Sequence, residues 1–537
     1  MSDMSQTPLR VAIVGAGVAG LYSALLLKKQ GHHVHIFEAS DRIGGRIYTH
    51  RFNSKEHQYF EAGAMRLPDS AFQAIVYDLI DHLNQSPSLP EAMRINRIPY
   101  ILNSPGNFVH VNGHSYTSDG TSPVILTPRD LDWDVPSEYL VKSASNLLKE
   151  VLQPFITELR EDFEHGFQRL LRFDHMSFRY YLQTEVGWPT SVIDFVETVT
   201  SQTNQFTLSA TELVMQNMDF DTKDWYTIDR GMDRLPEAMA LLVGRDNITV
   251  GTRVIGIQGT DHTVEVIANG CNGAIKTDFD KVILAIPPAA LKMLDDRPKW
   301  SIEKEMGIRS MHFEPLYKMG MLFRTRFWES HTRGGQSTTD LPIRWIVYPS
   351  NGIGTEGPGA LLLYAWMTDA GAWLPLEPHE RRNLAVRCLQ KLYPGVNIAD
   401  QLLETFDITW SSKSSTGDAM FLPGQFAAYF EVARQPETVG RSEVPNVYFA
   451  GEHLSKHHTW IAGALESALH SVRQMLRREI PALGVEASVE PTVNVVSAKD
   501  HFACAFHNML SKVDERATLT KDSTSISDIA IELEVEA

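Results

Sequence analysis

The chain has 537 residues, 43% of them apolar, and a formal net charge of -17. That length exceeds one simple core and calls for two or three domains of ordinary globular composition. The acidic balance argues against nucleic acid or an anionic membrane surface as a partner, and no run of about eighteen apolar residues offers a membrane span.

Arg10 to Val14 is a short, β-branched apolar run closed by glycine, and predicts a buried strand. Val18 to Gln30 repeats apolar residues on a helical period and stops at Gly31. His33 to Phe37 predicts a second strand, so the chain opens with a βαβ unit. Between the first strand and the helix stands a GxGxxG run. Gly15 allows the tight turn, Gly17 lets backbone approach a pyrophosphate, and Gly20 lets helix and strand pack closely. The free N–H groups and partial positive charge of the helix start suit phosphates. Glu38 ends the second strand at the spacing of an acid that binds ribose hydroxyls. The alternative is a glycine-rich turn with a core-facing acid. These residues alone do not separate NAD from FAD.

Residues 126–230 read as long amphipathic helices, a helical insertion. Strand signals then return: 247–259, 262–270 and 280–291 predict a meander followed by a buried strand, and 318–328 and 359–366 predict longer strands of a second sheet. A strand at 446–454 ends in a loop, and a helix is expected from Ala462 to about Glu479. The last fifty or so residues lack a long periodic segment and read as a partly disordered appendage. The N-terminus carries no basic-then-apolar leader, so a cytoplasmic protein is expected. None of Cys271, Cys388 and Cys504 forms a CxxC pair, so no metal site and no disulfide framework is expected.

The residues after Glu38 go further. Glu38-Ala39-Ser40-Asp41-Arg42-Ile43-Gly44-Gly45-Arg46 resembles the ExxxRxGGR segment of the flavin amine oxidase superfamily. Gly231-Met232-Asp233-Arg234-Leu235-Pro236, Arg253-Val254, Ala285-Ile286-Pro287-Pro288 and Phe449-Ala450-Gly451-Glu452-His453 resemble further segments of that family, so the likeness spans residues 10 to about 480. The resemblance implies an α/β, two-dinucleotide-binding FAD fold with an inserted helical domain and a mixed-sheet substrate domain. It implies an FAD-binding domain at 8–65, 231–313 and 437–482, a substrate domain at 66–125 and 314–436, a helical domain at 126–230 and an appendage at 483–537. It assigns the cofactor to Gly15, Gly17, Gly20, Glu38, Ala39, Gly45, Arg46, Met65, Arg66, Val254, Glu452, Ile461 and Ala464. With no cysteine in the flavin loop, the FAD is expected to be non-covalent. The alternative for Arg46 is a surface ion pair.

Within the superfamily, Phe60 to Pro68 resembles the L-amino acid oxidases, in which the arginine matching Arg66 binds the substrate carboxylate. A carboxylate taken out of water needs a bidentate, permanently charged partner. The resemblance makes Tyr364 a second carboxylate ligand, Thr459 the acceptor for the amine, Trp460 a wall, and Lys318 the holder of a water that assists reoxidation by oxygen. Lys318, Arg66, Tyr364 and Trp460 are the catalytic set. Trp366 would narrow the side-chain pocket, and Asp219 and Asp418 would place negative charge in it, favouring basic amino acids; the alternative is that both are surface-loop residues. The expected activity is oxidation of an L-amino acid by O2 to a 2-oxo acid, ammonia and hydrogen peroxide, in a homodimer. Its rivals are an amine or polyamine oxidase, an amino acid 2-monooxygenase, and a non-catalytic flavin-bound scaffold.

Overall fold

The computed structural model describes residues 7–119, 124–200, 204–270, 273–411 and 416–485. Cys271, Cys504 and the expected appendage from 486 onward lie outside them. The chain opens as expected with strand β1 (Arg10–Val14), helix α1 (Val18–Lys29) and strand β2 (His33–Phe37). Helices α2 (Ala144–Glu161) and α3 (Ala210–Phe220) follow. Then come β3 (Lys281–Leu284), β4 (Leu316–Phe323), β5 (Gly359–Trp366), β6 (Leu402–Thr409), β7 (Val447–Phe449) and α4 (Ile461–Leu476).

Five strands form a parallel sheet in the order Ile248–Thr249, β2, β1, β3, β7. The three central strands carry buried apolar residues on both faces, Val11 to Val14, Val34, Ile36, Phe37 and Val282 to Leu284, as a parallel sheet covered on both sides requires. α1 packs on α4 and on the helix Arg234–Val243, with Leu21, Leu26, Leu235, Leu465 and Val472 in one core. The chain leaves β1 to one side for β2 and returns on the other for β3. At such a switch point the loops beyond the carboxyl ends diverge and leave a crevice. Gly15, Glu38, Ala285 and Ala450 each follow one of these carboxyl ends. The meander 254–279 is a separate three-stranded antiparallel sheet. The core is thus an α/β fold with a crevice of the dinucleotide-binding kind.

The second sheet has seven strands, in the order β6, β4, β5, Trp345–Val347, Gln336–Thr339, Phe108–Val111, His114–Thr117. β4 and β5 are antiparallel, with Lys318 opposite Tyr364 and Leu316 opposite Trp366. The two-residue period of a strand therefore puts these four side chains on one face. The strand Tyr59–Glu61 lies against this sheet, and Gly320 of β4 makes room for it: a Cβ there would sit 2.1 Å from the Phe60 ring.

The insertion is helical as read, with the helices Phe163–Leu170, Phe178–Thr184 and Thr190–Val199 between α2 and α3. α2 buries Leu148, Leu152, Phe155, Ile156 and Leu159 along one stripe. Its end differs from the reading. Trp225–Ile228 is a strand, paired with Leu67–Pro68 and Arg97–Pro99, since its aromatic and β-branched residues fit a sheet better than a helix. Among the described residues, no helix is long and apolar enough to cross a membrane.

Gly320→Ala should overpack the Phe60 contact and destabilise the fold by about 1–3 kcal/mol. Thermal unfolding would show a lowered midpoint, partly recovered in the double variant with Phe60→Leu. An unchanged midpoint would remove Gly320 from this role.

Candidate active site

The crevice at the switch point is built from two glycine turns. Gly15 takes φ 104°, and a Cβ on it would lie 2.6 Å from the Ala285 carbonyl oxygen. Gly20 is closed in from behind, its Cβ position 2.0 Å from the Gly15 oxygen. A Cβ on Gly17 meets only the Gly45 Cα, at 4.0 Å, so this backbone is open to the crevice. The second turn lies alongside the first, the Gly44 N–H donating to the Ala16 carbonyl at 2.9 Å. Glu38 ties the two ends of the region together, accepting from the Ala16 N–H at 2.8 Å and from the Ser40 N–H at 2.8 Å.

Arg46, next after the second turn, is no surface residue. Its guanidinium donates to Glu452 at 2.8 Å and to the Gly417 carbonyl at 3.0 Å, and Asp418 lies at 3.5 Å. Glu452 also accepts from the Ala419 N–H at 3.1 Å and the Thr459 N–H at 3.0 Å. Burial is the largest influence and opposes its charge, but Arg46, His458, His453 and the Thr459 N–H together outweigh it and hold the carboxyl down at about 2. Folding gains from this above the ordinary carboxylate range, and the gain is lost as pH falls from there through about 2.

A cavity of about 490 Å³ extends from these turns to the second sheet. Every site residue read from the sequence lines it except Gly20, which packs behind its turn, and Asp219. Arg66 is half-buried. Its Nη1 donates to Gln336 Oε1 at 3.2 Å, and its guanidinium lies over the rings of Phe220, Trp225 and Tyr100, at 4.9, 5.6 and 6.0 Å. No carboxylate among the described residues pairs with it. Lys318 is 4% exposed and donates to the Gly63 carbonyl at 2.6 Å. Burial, reinforced by the charge of Arg66, lowers its ammonium to about 7. Its Nζ stands 4.6 Å from the Tyr364 ring centre. Burial, then the charge of Asp418, pushes the Tyr364 hydroxyl well up. Trp366 packs on Tyr364 and Trp345, at 4.9 and 5.0 Å between ring centres. Thr459 takes φ 71° and turns the chain into α4, and Trp460 closes the wall beside Phe220 at 5.4 Å.

The two acids expected in the side-chain pocket part company. Asp219 is neither in the cavity nor on a surface loop: it is 2% exposed on α3, hydrogen-bonded to His457 Nδ1 at 2.9 Å. Asp418 does line the cavity, but beside Arg46 and the glycine turns. Glu314, which the reading missed, is 1% exposed with Oε2 lacking a partner, and burial followed by the charge of Asp418 raises it well above the carboxylate range. It continues the face of Leu316 and Lys318, and the strand alternation carried back past Pro315 would have found it.

The open Gly17 backbone and the N-terminus of α1 fit a pyrophosphate. Buried polar atoms without partners along the cavity, His453 Nδ1, Trp460 Nε1 and Glu314 Oε2, fit a large polar cofactor. The family model for flavin containing amine oxidoreductases matches residues 18–476. The chain belongs to that family. It is an oxidoreductase of amine chemistry, and its cofactor is FAD. An L-amino-acid oxidase of Siganus canaliculatus is 30% identical over 90% of this chain and 88% of its own length. L-amino-acid oxidase 4 of Hebeloma cylindrosporum is 28% identical over 88% and 82%. A Dictyostelium discoideum protein whose name proposes a bifunctional amine oxidase is 32% identical, and the chain spans only 47% of it. A structure of putrescine oxidase superposes with a TM-score of 0.68 over 88% of this chain and all of its own, at 18% identity, a likeness of fold.

Gly17 and Gly20 separate cofactor binding from folding. Gly17→Ala meets no protein atom closer than 4.0 Å, so the apoprotein should unfold near the wild-type midpoint while flavin content drops. Gly20→Ala should lower both. The ratio of flavin to protein absorbance and thermal unfolding of the apoprotein check this; flavin retained in full by Gly17→Ala contradicts it.

Proposed function

We propose that the chain is an L-amino acid oxidase that holds FAD without a covalent bond. The observation that carries this is Arg66: a permanent cation set among Phe220, Trp225 and Tyr100, with no described acid to pair it. Leaving such a charge unpaired and partly dehydrated is costly, and a substrate carboxylate satisfies it through the guanidinium fork. An amine without a carboxylate leaves the cost standing.

FAD held along the two glycine turns, Glu38 and Arg46 would supply the two-electron oxidation of the Cα–N bond, with O2 as the final acceptor. The side chains orient. Arg66 and the Tyr364 hydroxyl take the α-carboxylate. The Thr459 carbonyl accepts from the amine, and Trp366 and Trp460 wall the side chain. Together they fix the Cα–H toward the glycine-turn side of the cavity, and orientation is a large part of such a rate enhancement. Lys318, neutral in part near pH 7 because burial lowers it to about 7, does not crowd Arg66 with a second full charge. It holds a water where oxygen reacts. The imino acid product hydrolyses to a 2-oxo acid and ammonia, with hydrogen peroxide formed from O2. No described cysteine lines the cavity, which supports non-covalent FAD.

Peroxide formation with a panel of L-amino acids and simple amines tests the reading. Amino acids should be turned over and amines ignored. Turnover of amines alone makes the chain an amine oxidase, and release of amide and CO2 makes it a 2-monooxygenase. In Arg66→Ala, flavin should stay bound while transition-state binding falls by about 3–5 kcal/mol. Arg66→Lys should be impaired too, because a point charge does not replace the fork. Lys318→Met should slow reoxidation of reduced enzyme by O2 more than it slows flavin reduction by substrate; stopped-flow traces in the opposite order refute the role given to Lys318.

A further inference from the structure

Residues 455–460 form no regular element, yet they carry Thr459 and Trp460 into the cavity. The left-handed backbone of Thr459, at φ 71°, persists in a non-glycine residue only where its surroundings over-determine it. Three buried carboxylates do so. Glu452 accepts the Thr459 N–H at 3.0 Å. The other two belong to α3: Asp219 Oδ1 lies 2.9 Å from His457 Nδ1, and Glu212 Oε2 lies 2.8 Å from His458 Nδ1. The side chains of the first pair are 6% and 2% exposed, and those of the second 1% each.

Glu212 and Asp219 stand seven positions apart, two turns along one face of α3. Adjacent His457 and His458 diverge to meet them. Each ring is locked by stacking, His457 on Phe72 at 4.4 Å and His458 on Phe426 at 4.8 Å. Glu212 does more: it accepts the Phe421 N–H at 3.0 Å, fixing the strip that brings Asp418 and Met420 to the cavity. At its far end α3 supplies Phe220, which faces both Arg66 and Trp460. None of the four paired residues lines the cavity.

We propose that Glu212 and Asp219 are positioning residues: through His458 and His457 they hold the Thr459–Trp460 turn at the distance from Arg66 and Phe220 that an amino acid spans. This rests on the reading of the cavity as the site of amino acid oxidation. The helical insertion is then the part that sets the geometry of substrate capture.

The test uses flavin-loaded Glu212→Ala, Glu212→Gln, Asp219→Asn and His458→Phe, the last keeping the stacked ring but not its N–H. Flavin content, KM, kcat and a titration with benzoate, followed in the flavin spectrum, are the readouts. Benzoate presents a carboxylate and has no Cα–H to lose. Glu212→Ala and His458→Phe should retain flavin, raise KM and lower kcat/KM by roughly a hundredfold, the scale of a displacement of about 1 Å. Their benzoate affinity should fall in step. Asp219→Asn should fall the same way but less, because the amide can still accept from His457. Glu212→Gln should recover much of the loss, since its amide oxygen can still accept from His458 and Phe421. Should Glu212→Ala not fold, His458→Phe carries the same test. Flavin-loaded variants with kcat/KM within about threefold of wild type, under about 0.7 kcal/mol, overturn the proposal, as does a loss that tracks flavin content rather than KM. If wild type oxidises no L-amino acid while benzoate binding still falls in His458→Phe, positioning stands and the substrate reading falls.

Discussion

The carboxylate of Glu452 is shared by three segments that must meet for a cavity to exist. It takes the guanidinium of Arg46 from the second glycine turn, the N–H of Ala419 from the strip beyond the second sheet, and the N–H of Thr459 from the entry to α4. Burying an ion pair is expensive, and a pair with unsatisfied oxygens is a net loss. Here both oxygens accept, so the cost is offset by hydrogen bonds that exist only when all three segments are in place. Arg46 and Glu452 are 406 positions apart, so the bond reports on completed folding. Cofactor and substrate regions are therefore assembled together.

The two sheets divide the work in a way their geometry dictates. A parallel sheet with a switch point offers loops and glycine turns at one edge, suited to a long polar cofactor held by backbone. An antiparallel pair offers side chains in register, suited to fixing two groups at a set separation. Lys318 and Tyr364 are such a pair, and neither can move without breaking the ladder. The insertion adds a third set of groups. It contributes Phe220 directly and the carboxylates Glu212 and Asp219 from behind.

How much of this could be read from the sequence follows the same division. Gly15, Gly17, Gly20 and Glu38 lie within one short stretch whose local pattern carries its own explanation, and β4 and β5 announce themselves as apolar runs. The fold class was legible for that reason, whereas FAD rather than NAD came only with the resemblance carried by the segments after Glu38. Asp219 and Asp418 were placed in the pocket because an acid in an apolar alignment position looks functional. What decides their roles is a partner, His457 at a separation of 238 positions for the one and Arg46 for the other. A separation of that size leaves no trace in local period or spacing. Glu212 passed unnoticed as an ordinary acid in the first turn of a helix, where an acid is favoured anyway. Trp225–Ile228 was masked by the helices before it, and Glu314 by Pro315.

The charges around the cavity are not mixed at random, and this bears on what the cavity can hold. Arg66 sits in the aromatic enclosure of Phe220, Trp225 and Tyr100, while Asp418 lies beside Arg46, and Glu314 is bonded to Asp418 through its backbone N–H at 3.0 Å. Lys318 feels both: Arg66 lowers its proton affinity and Asp418 raises it. A cation-only ligand would find Arg66 repulsive, and an anion-only ligand would find Asp418 so. In a low-dielectric enclosure such terms are several times larger than in water. On the proposed function, a ligand with a carboxylate on one bond and an amine on the next meets both signs of charge at once. On the proposed reading, the same field helps the chemistry. It favours a bound amino acid whose carboxylate is charged, because the arginine that faces it is always cationic.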